Sequence, residues 1–194
     1  MRARNAIPRY RGLEEQKDMV TRLKAAGYDD PYGTANYKGL TLNEFAKMVF
    51  PDLYSSAKNP SIIAEEHVIG SDGKEVRGHT QGNYLMDGQN CASVGKDGAL
   101  VDPIKISSTL NSRYYDLAEA VAHELYHAID HVSGNYLNWI NKGGLSYANL
   151  KSELNAYTST NNLMFPQTEF NLKSIQSNFL HIINFQSKVN FYKF

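Results

Sequence analysis

The 194-residue sequence has one cysteine, no net charge and no long apolar run. With Cys91 alone, no internal disulfide can form, which excludes the disulfide-stapled class of small secreted domains. Twenty Lys plus Arg stand against twenty Asp plus Glu, a formal net charge of +0 at pH 7. So balanced a surface produces no field that draws the chain to nucleic acid or to an anionic bilayer. No stretch approaches the roughly 20 apolar residues needed to cross a membrane. The opening residues, MRARNAIPRY, are basic but have no apolar segment behind them, so they do not read as a signal peptide. No internal repeat or low-complexity linker breaks the chain. Hydrophobic residues make up 42% and charged residues 21%, ordinary for a soluble domain with a real core. The expectation is one domain over 1–194, standing alone or cut from a larger chain.

Periodicity divides the chain in two. Residues 12–27 read as an amphipathic helix with Leu13, Met19, Val20, Leu23 and Ala26 on one face and Gly27 as its stop. Asp29–Gly33 is a turn, and Thr41 is placed to cap a short helix over 42–49 that ends before Pro51. From about 61 to 106 the pattern is that of strands. Ile62–Ile69 and Glu75–His79 flank the hairpin signal Ser71-Asp72-Gly73, and Asn83–Met86 and Ala99–Ser107 flank a turn-rich stretch at 87–90. Asn111 or Ser112 then caps a long, largely apolar helix running to Val132, with Gly134 as its stop. Residues 134–145 read as a loop, 147–163 as a helix capped by Ser146, and 169–190 as a last apolar helix. That last helix fits a buried element closing the core better than a membrane-surface helix. The expected fold class is α+β: a small, mostly antiparallel sheet packed on a long buried helix. Helices and strands fill 1–106 and a helical part fills 107–194.

The long helix carries the chemistry. His123 and His127 lie one turn apart on the same side, where two ring nitrogens can converge on one ion. Glu124 follows the first histidine, about 100° round the axis, within reach of water at such an ion. A chance HExxH in a chain of this composition has a probability of about one in a hundred. Its flanks here, Val121, Ala122, Leu125, Ala128 and Ile129, are uncharged. Two histidines and a glutamate without partners on so apolar a helix would be costly, and a cation resolves that cost.

A mononuclear catalytic zinc takes three protein ligands and leaves a position for water. His131 extends the four-residue series, but three histidines on a straight helix span about 12 Å, too far for one ion. Asp130 and Ser133 stand where a glycine-bend solution needs glycine and a further ligand, so that solution is excluded. Glu153 is the better third ligand, because its helical neighbours Leu150, Ala156 and Tyr157 put it on an apolar face. A lysine or arginine partner at the helix edge is the bland alternative for it. Asp116 and Asp130 are fallback ligands, with Asp130 better suited to orient a histidine N–H. Tyr157, Tyr147 and His79 are candidate donors to an oxyanion. Cys91, in the loop Gly88-Gln-Asn-Cys91-Ala, reads as a plain thiol.

Residues 120–131, AVAHELYHAIDH, followed by Glu153-Leu154-Asn155-Ala156, resemble the zincin metallopeptidases, and among them the gluzincins with a downstream glutamate ligand. The short HELYHAID…G…E layout is also similar to metallopeptidase toxin or effector domains that some bacteria deploy through secretion systems, often as the last module of a larger chain. The resemblance implies a zinc-dependent hydrolase, an endopeptidase with His123, His127 and Glu153 on Zn2+ and Glu124 as general base. It further implies a peptide or protein substrate on a strand edge beside the helix, and leaves room for an inhibitory or immunity protein. Gluzincins often carry an Asp shortly after the glutamate ligand, whereas here Tyr157 follows four residues later, so Asp130 would have to orient the histidine. Two other readings stay open: an inactive zincin-like module that binds a protein, and a zinc amidase acting on a non-protein substrate.

Overall fold

Apolar residues three and four apart fold the first element, α1 (residues 19–25), onto the core through Met19 and Leu23. The structure is a computed structural model, which describes residues 19–81 and 94–164. The expectations for Leu13, Asn83–Met86, the turn at 87–90, Cys91 and the helix over 169–190 lie outside the described residues. Next come α2 (Leu42–Val49), entered from Thr41, whose side chain makes no cap bond, and α3 (Pro51–Ser56). Pro51 opens α3 because its missing N–H is unneeded in a first turn.

Among the described residues five short strands follow: β1 (Ile62–Glu65), β2 (Val68–Ile69), β3 (Glu75–Val76), β4 (Gly78–His79) and β5 (Ile104–Ser107). The expected hairpin forms as β2 against β3, Val68 facing Val76. Gly73 takes φ 78° in its turn, and Asp72 Oδ1 accepts from the Lys74 N–H at 3.1 Å. The run 62–69 is not one strand; it breaks at Glu66-His67. Its first half pairs in parallel with β5, Ile62 opposite Ile104 and Ala64 opposite Ile106. β4 pairs with the other side of β5, antiparallel, so among the described residues the order is β1-β5-β4 with β4 at an edge. Antiparallel pairing thus holds for two of the three ladders, while the longest is parallel. Only Ile104–Ser107 of the expected strand 99–107 is a strand; before it, Val94 bridges Leu100 around Gly98.

The long helix, α4 (Tyr114–Val132), starts later than expected, at Arg113. Asn111 is fully buried instead of capping: its side-chain N–H donates to Arg77 O and Ser107 O, both at 2.8 Å. Leu117, Ala118, Val121, Ala122, Leu125 and Ala128 are completely buried against Phe45, Phe50, Ile104 and Ile106. Gly134, at φ 78°, stops the helix.

Residues 134–145 are not a loop. Helix resumes at Asn135 and runs to Met164 as α5, broken at Gly144 with φ 78° and ψ 179°, which only glycine adopts readily. The first leg is mostly exposed but anchored: Tyr136 is buried, lies on His131 with ring centroids 4.6 Å apart, and donates to Asn149 on the second leg. The second leg packs along α4 through Ala148, Leu154 and Ala156. The described chain is therefore mixed α/β, with a small sheet and a helical C-terminal part. No helix among the described residues is long and apolar enough to cross a membrane.

His131 yields a test of this packing. It is 6% exposed, and burial holds its pKa down at about 4. In the unfolded chain it takes up a proton near 6.5, so its contribution is intact above that pH and is lost as the pH falls toward about 4. By pH 4.5 the loss is about 2–3 kcal/mol. Metal-free His131→Gln should therefore lose less melting temperature than wild type between pH 7 and 4.5, by about 5–10 °C. Parallel acid limbs for the two proteins would show that His131 is not held neutral.

Candidate metal centre

The four-residue spacing on α4 stacks His123 over His127, and the packing of α5 carries Glu153 to face them. The two Nε2 atoms are 3.1 Å apart. Glu153 Oε2 lies 3.6 Å from His123 Nε2, and its Oε1 lies 3.6 Å from His127 Nε2. Ligands at about 2.0–2.2 Å from a tetrahedral zinc sit about 3.3 Å from one another. All three separations are close to that value. Two partly buried ring nitrogens and a carboxylate aimed at one point are best satisfied by a shared proton or a cation between them. Among the described residues these three form one group able to hold a metal ion.

Hydrogen bonds behind His127 fix which nitrogen faces the cluster. Ser152 Oγ donates to Asp130 Oδ2 at 2.9 Å, so it is left to accept from His127 Nδ1 at 2.7 Å. The proton is therefore on Nδ1 and the Nε2 lone pair points inward, the tautomer a metal ligand needs. Asp130 is fully buried and also accepts from Asn155 Nδ2 at 2.8 Å. Burial raises its carboxyl to about 6 against the pull of Ser152 and Asn155. Asp130 thus reaches the histidine through a serine. Burial drives His127 down to about 3, with Glu153 opposing and the neighbouring histidines adding to the fall. For His123 burial also opposes charge, but Glu153, then Glu124 and Glu119, outweigh it and raise the pKa.

Glu124 stands beside the triad, 5% exposed. Burial lifts its carboxyl to about 7, against His123 and a hydrogen bond from Thr80. Tyr157 lies edge-on to His123, ring centroids 4.6 Å apart, and burial with Glu153 and Glu124 nearby pushes its phenol up to about 12. It is protonated at neutral pH and can donate. Both line a cleft of about 370 Å³ with His123, Glu153, Arg77 and Gly78. His79 opens instead onto a second cleft, of about 570 Å³, with His131 and Tyr136. Tyr147 is buried against Gly143, and Asp116 pairs with Arg113 at 2.6 Å; neither joins the cluster.

Five residues here went unread in the sequence: Arg77, Gly78, Thr80, Ser152 and Asn155. Arg77 ties the start of β4 to α4, donating to Asn111 Oδ1 at 2.9 Å, Glu119 Oε2 at 2.7 Å and Asp116 O at 2.6 Å. None carries a local signal, although Ser152 and Asn155 flank Glu153 on its own helical turn. Comparison with protein-family models, curated proteins and solved structures returned no match.

Proposed function

We propose that the protein is a zinc-dependent hydrolase that cleaves peptide bonds, holding the metal through His123, His127 and Glu153. The observation that carries this reading is the convergence of two imidazole nitrogens and one carboxylate beside a second carboxylate, with His123, Glu153 and Glu124 lining a cleft. Bound there, zinc would polarise a carbonyl and lower the pKa of water from about 15.7 toward 7. Glu124, with a carboxyl near 7, is matched to taking a proton from water and passing it to the leaving nitrogen at neutral pH. Tyr157 lines the same cleft, where a phenol O–H can steady negative charge on the carbonyl oxygen.

A peptide is favoured over other amides by β4. It stands at the sheet edge, with Gly78 lining the first cleft and His79 the second. An extended chain laid along that edge would pass both clefts, with His123 and Glu153 in the wall of the first. The test is metal analysis of the purified protein together with cleavage of a mixed peptide library. About one zinc per chain and cleavage that a chelator abolishes are expected. Protein that binds no zinc, or a zinc-loaded chain that cuts no peptide, would remove this reading.

A further inference from the structure

The catalytic carboxylate of the proposed hydrolase is buried, yet a general base works only if one oxygen is presented in a fixed direction. What fixes Glu124 comes from the sheet. Thr80 Oγ lies 2.8 Å from Glu124 Oε2 and 3.1 Å from the Glu124 carbonyl. A hydroxyl has one proton to give, and the shorter, charge-assisted bond to the carboxylate takes it. Two residues earlier, in β4, Gly78 has no side chain where one would collide with Glu124. A Cβ built there would lie 2.6 Å from Cγ, 2.8 Å from Oε1 and 3.0 Å from Cδ. Because Glu124 is 5% exposed between α4 and the sheet, it could yield only by leaving its rotamer.

We infer that Gly78 and Thr80 are positioning residues for Glu124: Thr80 holds Oε2, Gly78 leaves room for the other half of the carboxylate, and Oε1 is thereby the oxygen that exchanges the proton. Gly78 is pinned by its ladder pairing with Ile106, and Thr80 follows directly after the paired residues. A residue on either side of His79 thus sets the base. The inference rests on the proposed hydrolase, but the clamp is a geometric statement that can be measured without turnover.

Three variants test it: Thr80→Val, which keeps the shape and removes the hydroxyl, Thr80→Ser, which restores it, and Gly78→Ala. In protein labelled with 13C at glutamate carboxyls, the Glu124 resonance at fixed pH should move in Thr80→Val and Gly78→Ala and return to the wild-type position in Thr80→Ser. On a cleaved peptide, Thr80→Val should lower kcat at least about tenfold with KM and zinc content unchanged, and Thr80→Ser should recover to within about threefold. A Glu124 resonance indifferent to Thr80→Val, or a serine variant as impaired as the valine one, would overturn the clamp whether or not wild type cleaves peptides. A wild type that cleaves nothing while the resonance follows the hydroxyl would sink the hydrolase reading and leave the clamp supported.

Discussion

Glu124→Gln should keep its full complement of zinc and lose peptide hydrolysis by about a thousandfold or more. The amide has the same shape, its oxygen can still accept from Thr80 Oγ, and neither His123, His127 nor Glu153 is disturbed. What is lost is a proton acceptor with a carboxyl pKa of about 7, and positioned acid–base groups are worth about 10²–10⁴ in rate. The expected pattern is a collapse of kcat with little change in KM, because glutamine leaves the binding surface intact. Retained activity within tenfold of wild type would mean that some other group takes the proton. Loss of zinc along with activity would mean that Glu124 belongs to the ligand set, which its bond to Thr80 argues against.

Glu124 also shows why part of this site could be read from sequence and part could not. His123, Glu124 and His127 are local: four residues of helix settle their mutual positions, and the apolar flanks declare the helix. Glu153 required one more step, a carboxylate on an apolar face of the next helix, and helix pairing is simple enough to bring it opposite the two rings. The partners of Glu124 come from a strand far away in sequence, and their position depends on pairing that local pattern does not encode. Ile62–Ile69 reads as one arm of a hairpin, yet its first half is claimed by β5 in a parallel ladder. That rearrangement leaves Gly78–His79 as the edge strand beside α4. Residues 134–145 fail for a different reason. Their glycines and asparagines weaken helix propensity, but burial of Tyr136 against His131 and its bond to Asn149 override propensity. Asn111 has the chemistry of a cap and instead serves Arg77, whose side-chain N–H and backbone carbonyl together satisfy both ends of the buried amide, where a cap would use only its oxygen.

The ligand triangle predicts a graded loss of metal. Glu153→Ala removes one of three donors from a side chain that is 38% exposed, so the apo protein should melt within about 2 °C of wild type while zinc affinity falls by more than about a hundredfold. Ser152→Ala leaves all three donors in place. It cuts the link from Asp130 to His127 Nδ1, freeing the ring to turn and to place its proton on Nε2. Losing an outer hydrogen bond of this kind costs about 10–100-fold in affinity. The serine variant should therefore fall between wild type and Glu153→Ala in a chelator-competition titration. The same order should appear in thermal shift: zinc at 100 times its dissociation constant stabilises by about 2.7 kcal/mol, or about 5–10 °C at this chain length. At the zinc concentration that gives wild type this gain, Ser152→Ala should gain less and Glu153→Ala almost nothing. Equal affinities for wild type and Glu153→Ala would take the carboxylate out of the cluster and leave two imidazoles, too few to hold zinc for catalysis.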